Sequence, residues 1–154
     1  MKKILFGLLA LLIVSCTVEK PNSDKPRYVV TSPEIGEILY LLDGTDHIVG
    51  VVEEVDYPPQ LKQIEKVGSF GVINREKIIA LNPSMVFTSG LEQELLSTEL
   101  DKLNIPTLSI YPTSIDEMLE GIQTVAKHIG KEERGRVVAD SLRFELKQIE
   151  ILNS

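Results

Sequence analysis

From Arg27 onward, short β-branched apolar runs alternate with segments of helical period, and no other feature constrains the chain as strongly. Tyr28-Val29-Val30-Thr31 reads as a buried strand. It passes into Ser32-Pro33, a capping residue followed by a residue suited to the first helical position. Ile35, Ile38, Leu39 and Leu42 keep the helical spacing, and Gly44 is expected to end the helix. Ile48 to Val52 is a second strand. Glu53 to Lys66 carries Tyr57-Pro58-Pro59 and reads as loop or a short helical turn. Val67-Gly68 reads as a very short third strand. Asn74 caps a helix running through Leu81, which Asn82-Pro83 stops. Met85 to Thr88 and Ile105 to Ile110 are further strands, the latter at a sheet edge because Pro106 donates no ladder hydrogen bond. Leu95, Leu96, Leu100 and Leu103 form a helical face between them. Strands alternating with helices predict an α/β fold with a mostly parallel sheet and right-handed crossovers.

The carboxyl-terminal third reads as helical. Ser114-Ile115-Asp116-Glu117 is a capping box. Behind it Ile115, Met118, Leu119, Ile122, Val125, Ala126 and Ile129 hold one helical face, and Gly130 closes the helix. A second long helix is expected from Lys131 to about Leu152, with Val138, Leu142, Leu146 and Ile149 on its apolar face. Val137, Phe144 and Ile151 add a second row beside it. So wide a stripe fits a helix with more neighbours than this chain supplies, or a helix that simply packs on the sheet.

The amino terminus is of another kind. Met1-Lys2-Lys3 precedes an apolar run of eleven residues, Ile4 to Val14, which ends at Ser15-Cys16. The run is too short to span a bilayer and suits a secretory signal. A cysteine placed directly after it resembles the bacterial lipoprotein signal, in which the chain is cut before the cysteine and the cysteine is acylated. Residues 1–15 are therefore read as a signal peptide, Cys16 as the lipidation site, and residues 16–26, polar with two prolines, as a flexible tether. The expected location is extracytoplasmic and lipid-anchored.

Composition excludes several function classes. The net charge of −7 comes without a basic block, which argues against nucleic-acid binding. One cysteine excludes internal disulfides and Cys-rich metal sites. The two histidines, His47 and His128, sit where structural roles suffice. No phosphate-binding loop, dinucleotide fingerprint or nucleophile elbow appears, so no enzyme activity, cofactor or metal is assigned. In open α/β sheets ligands sit beyond the carboxyl ends of the strands. Those ends carry Ser32-Pro33, the loop through Tyr57, Ser69-Phe70-Gly71, Thr88-Ser89-Gly90 and Tyr111-Pro112. Ser32, Pro33, Tyr57, Phe70 and Ser89 are the candidate ligand-binding residues. Tyr57 and Phe70, two of eight aromatic residues, fall in loops, where they suit a large planar or apolar ligand or cap the sheet end as packing.

Several pieces, in order, resemble a known family: Thr31-Ser32-Pro33-Glu34, Glu37-Ile38-Leu39, Gly44, Ile48-Val49-Gly50-Val51, Asp56-Tyr57-Pro58-Pro59, Val67-Gly68, Asn74-Arg75-Glu76-Lys77-Ile78, Ala80-Leu81-Asn82-Pro83 and Ile105-Pro106. The chain is similar to the solute-binding proteins of ABC importers for vitamin B12, iron-siderophores and haem. The likeness runs from about Tyr28 to Gly130 and continues more loosely into the last helix. Asn82-Pro83-Ser84 departs from the family, which usually places a basic residue and an acid around the proline. The family has two Rossmann-like α/β lobes joined by a long rigid helix, holds ligand between them, and docks on a membrane permease.

The resemblance implies that residues 27–112 are the first lobe, and that residues 113–154 include the interlobe helix, truncated before a second lobe. It implies a lipid-anchored substrate-binding component of an importer for a corrinoid or metal chelate, with an ABC permease as partner and no bond chemistry. By position, Glu76 matches the first-lobe glutamate that pairs with permease arginines, and it also suits the amino end of its own helix. Tyr57 and Phe70 match positions where the family sets aromatics against ligand. The competing readings are an exported stand-alone α/β enzyme or regulatory domain, and a nonfunctional remnant of the binding protein.

Overall fold

The computed structural model describes residues 25–90 and 93–152. The expected signal segment 1–15, Cys16 and the expected tether up to residue 24 lie outside the described residues. Four short strands make the main sheet: β1 (Tyr28–Val30), β2 (Ile48–Val51), β5 (Met85–Thr88) and β6 (Thr107–Ser109). All three pairings are parallel, and the order is β2-β1-β5-β6. The central strand β1 is buried along its whole length, which is why Tyr28-Val29-Val30 shows no alternation. β6 lies at an edge directly after Pro106, where the missing N–H is harmless.

α1 (Pro33–Leu41) crosses from β1 to β2 and buries Ile35, Ile38 and Leu39. Its end differs from expectation. The left-handed residue is Asp43, at φ 54°, and the Gly44 amide returns to Leu39 O at 2.8 Å. Gly44 is required for space instead: a Cβ there would lie 3.1 Å from Ile129 Cδ1 and 3.3 Å from Leu39 Cδ2. Ser32 stands at the amino end of α1 in extended conformation but makes no side-chain cap.

The short third strand is half of a hairpin. β3 (Gly68–Ser69) pairs antiparallel with β4 (Val72–Ile73) as a sheet of its own. Gly68 has φ +116°, and a Cβ there would meet Val72 O at 2.3 Å. Asn74 then caps α2 (Arg75–Ala80), its Oδ1 accepting from the Lys77 amide at 2.9 Å. α3 (Glu94–Asp101) is shorter than its apolar spacing implied. Leu100 is buried, Leu95 is exposed, and Leu103 lies beyond the helix before the left-handed Asn104.

α4 (Ile115–His128) begins with Ser114 Oγ accepting from the Glu117 amide at 3.2 Å. The return half of the capping box is displaced by one residue. The Glu117 carboxylate accepts from the Thr113 amide at 2.7 Å and from its hydroxyl at 2.8 Å. Gly130, at φ +69°, closes α4 as expected. α5 (Glu132–Leu152) folds back along α4 and buries Gly135, Val138 and Ala139. Arg134 joins this helix to the end of α1 through Leu41 O at 2.8 Å and Asp43 at 3.3 Å. Farther along α5, Val137, Phe144 and Ile151 are exposed, the last turns carrying apolar side chains on the surface. Among the described residues no helix is long and apolar enough to cross a membrane.

Candidate functional site

The reversal of strand order falls between β1 and β5. The chain leaves β1 toward β2 on one side and β5 toward β6 on the other. The segments after these two central strands therefore diverge and leave a crevice at their carboxyl ends.

Every buried polar side chain among the described residues gathers there: Thr31, Ser32, Thr88, Ser89 and Gln93. A buried polar group without a partner costs about 1–3 kcal/mol, so such a cluster persists only when its members satisfy one another. Gln93, only 3% exposed, does most of this. Its Oε1 accepts from the Ser89 amide at 3.0 Å and from the Thr31 hydroxyl at 2.5 Å, and its Nε2 donates to Thr31 O at 3.0 Å. The ends of β1 and β5 are thereby tied through one amide. Ser89 Oγ donates to Glu34 in the first turn of α1 at 2.6 Å, a second tie across the crevice. Ser32 Oγ is buried with no hydrogen-bond partner.

The candidate residues occupy three positions around this floor. Ser32, Pro33 and Ser89 belong to the crevice itself, with both serines buried. Phe70, at the tip of the β3–β4 hairpin, lines a groove of about 400 Å³ with Ile73, Arg75, Gln93, Leu96 and Glu99. Gln93 thus faces the groove while holding the strand ends. Tyr57 stands apart from that groove, half exposed, its ring edge-on to Tyr40 of α1 at 5.6 Å between centroids.

Charge at this end is acidic. Glu34, Glu53, Glu54 and Asp56 follow β1 and β2. Lys66 reaches the same region, its ammonium donating to Val52 O at 3.4 Å and Val55 O at 3.2 Å. In the groove the Arg75 guanidinium contacts Glu99 at 2.8 Å and Glu76 at 3.2 Å, which raises its already high pKa.

Glu76 pairs with this groove-lining arginine from the first turn of α2, its side chain 75% exposed. Its own backbone amide, and then Arg75, hold its carboxyl below the usual carboxylate range, so it is an anion near neutral pH. Of the histidines, His47 packs edge-on against Tyr28, and His128 Nδ1 lies 2.8 Å from Thr124 O within its own helix. Among the described residues no group of three or more His, Cys, Asp or Glu could hold a metal ion.

The sequence reading missed Gln93 and Glu54. Gln93 contacts Thr31 across 62 positions, and the Glu54 carboxylate accepts from the Phe70 amide at 2.9 Å across 16. Neither residue has a local pattern that marks it.

Comparison with known proteins bears on the family and the fold. Over 153 residues the chain is 28% identical to the vitamin B12-binding protein of Vibrio cholerae serotype O1, covering 92% of this chain and 54% of that one. The solved periplasmic vitamin B12 binding protein BtuF of Vibrio cholerae superposes with a TM-score of 0.73 at 27% identity, over 82% of this chain and 50% of that one. The apo periplasmic heme-binding protein RhuT from Roseiflexus sp. RS-1 gives 0.72 at 26% identity, over 80% and 48%. The chain spans about half the length of the curated relatives it matches. These relatives are binding proteins of the periplasm and not enzymes, which agrees with the catalytic motifs missing from the sequence and gives the extracytoplasmic reading its support. The family model for periplasmic binding proteins matches residues 29–150, so the chain belongs to the periplasmic binding protein family.

Proposed function

We propose that this chain is the first lobe and interlobe helix of a substrate-binding protein that captures a corrinoid or metal chelate outside the cytoplasm and delivers it to the membrane permease of an ABC importer. The supporting observation is the crevice at the strand-order reversal. Its floor is a polar network held by Gln93, in which Ser32 Oγ is left without a partner, and Phe70 flanks it across the Gln93 groove. A rigid polar floor with an apolar aromatic wall suits a large ligand held by shape and a few hydrogen bonds. Vitamin B12 and haem, named for relatives aligned to this half, are ligands of that kind.

Ser32, Pro33, Tyr57, Phe70 and Ser89 are the proposed ligand-side residues, and Glu76 the proposed permease-side residue. Glu76 suits docking because it is anionic and exposed. Cys16 is proposed as the acylated anchor. The test is a binding screen with cyanocobalamin, haem and ferric siderophores. It uses the chain alone and the chain joined to the second half of a relative. Binding of one ligand class by the joined protein, weakened by Phe70→Ala, is the expected result. No binding by either form would refute the proposal. In the joined protein, Glu76→Ala should leave ligand affinity intact and impair docking; lost affinity with normal docking would place Glu76 on the wrong surface.

A further inference from the structure

The loop after β2 and the β3–β4 hairpin carry the two candidate aromatics. At its base the hairpin is tied to the end of β2, the Val67 amide donating to Val51 O at 2.9 Å and the Glu53 amide to Gly68 O at 2.9 Å, while the Asn74 amide closes the hairpin on Val67 O at 2.8 Å. A further bond, from the Phe70 amide to Glu54 Oε2 at 2.9 Å, reaches the tip. The tip needs such a tie. Each hairpin strand has two residues, and an isolated two-stranded hairpin is marginal in water. A Cβ on Gly71 would meet nothing within 4 Å, so that side of the turn is open, while Phe70 beside it lines the groove with Gln93 and Leu96.

We propose that Glu54 is a positioning residue, whose carboxylate holds the Phe70 amide and so fixes the aromatic tip relative to the Tyr57 loop. This rests on the reading of Phe70 as a ligand-side residue. Glu54 is well placed for the role because its own loop is anchored. Val55 is buried, its amide returns to Val52 O at 3.1 Å, and Lys66 donates to the carbonyls of Val52 and Val55. Tyr57 follows two residues later. The bond therefore joins the two aromatic-bearing segments into one unit, and the arriving ligand meets a wall already formed. Preorganisation of this kind raises affinity by removing an ordering cost at binding. A carboxylate accepting from an amide is a charge-assisted hydrogen bond, yet Glu54 is exposed, so its effect is local and not global.

The test compares Glu54→Ala, Glu54→Gln, Phe70→Ala and the double variant Glu54→Ala/Phe70→Ala in the full chain and in the chain joined to the second half of a relative. The probe is cyanocobalamin, followed by NMR titration, with amide hydrogen exchange at Phe70 read without ligand. Glu54→Ala is expected to speed exchange at Phe70 and weaken binding by about three- to tenfold, with the melting temperature unchanged. Glu54→Gln should restore both, because the amide oxygen accepts the same bond. The double variant should bind no more weakly than Phe70→Ala, since Glu54 acts through Phe70. Unchanged exchange and unchanged affinity in Glu54→Ala, with Phe70→Ala weakened, would overturn the positioning role alone. Failure of both the wild-type chain and its joined form to bind cyanocobalamin, while Phe70 exchange still responds to Glu54→Ala, would overturn the assignment of Phe70 as a corrinoid contact.

Discussion

Replacing Gly135 by alanine is the substitution on which two opposing rules collide most directly. In an exposed helix, Gly→Ala gains about 1 kcal/mol of helix propensity. Gly135 is not exposed: it faces α4, and a Cβ added to it would lie 2.3 Å from the Ala126 Cβ. Carbon atoms in contact settle at about 3.5–4.0 Å, so the two helices would have to separate locally by more than about 1 Å. Neither methyl can rotate away, because a Cβ is fixed by the backbone. Overpacking of this kind costs typically about 1–3 kcal/mol, and a clash between two immovable atoms belongs at the upper end. Subtracting the propensity gain leaves about 2 kcal/mol of net destabilisation. With a melting-temperature shift of about 3–6 °C per kcal/mol for a domain of this size, the midpoint should fall by roughly 6–12 °C. Gly121→Ala is the control, where the new Cβ would lie 3.0 Å from Ile110 Cγ2, a side-chain atom that can shift. Urea unfolding of both variants with matched m-values provides the comparison. A Gly135→Ala chain as stable as wild type, or more so, would show that α4 and α5 are not seated as closely as described.

Three further outcomes follow from particular contacts. Cys16→Ser should release the protein from membranes on fractionation, because acyl chains contribute about 0.8 kcal/mol per buried methylene; unchanged attachment would remove the anchor. Val137 and Phe144, exposed at 46% and 64%, should support self-association or hydrophobic-dye binding that Val137→Ser/Phe144→Ser reduces, and a monomer silent to the dye would contradict this. Glu117 has its pKa lowered, first by the Thr113 amide and then by the Thr113 hydroxyl. Its contribution is therefore present above the unfolded carboxylate pKa and lost as pH falls through the lower folded value. Glu117→Ala should flatten the acid limb of the stability profile, and an unaltered limb would deny the cap that role.

The strands were legible wherever burial on both faces forced continuous β-branched runs, as in Tyr28-Val29-Val30 and Ile48 to Val51. The long helices were legible because Ser114 and Gly130 mark both ends of α4 by local chemistry. The β3–β4 hairpin was not, because two-residue strands have no period and its geometry depends on the φ of Gly68. α1 was placed correctly but its terminus was credited to Gly44, since Asp43 in the left-handed region leaves no stronger mark than the glycine beside it. The loops at the strand ends could be named from the alternation alone. Which side chains share the crevice could not, because Gln93 meets Thr31, and Glu34 meets Ser89, only through tertiary pairing across 62 and 55 positions.

The candidate site divides into two parts that obey different energetics. Its floor is made of buried groups, and each hydrogen bond around Gln93 is held by the cost of leaving a donor or acceptor unpaired away from water. Its outer parts are Phe70 on the groove and Tyr57 apart from it, held by an exposed carboxylate and by one aromatic edge contact respectively. Those restraints are each about 1 kcal/mol, close enough to thermal energy for side chains to adjust to what they touch. A change in the floor therefore perturbs the sheet and the fold with it, while a change in the outer parts alters which surface is offered and leaves the fold standing. Relatives named for vitamin B12 and for haem superpose on this lobe, and one fold can carry different loops. On the proposed reading, substitutions at Phe70 and Glu54 should act on ligand affinity, and substitutions at Thr31 and Gln93 on the stability of the lobe.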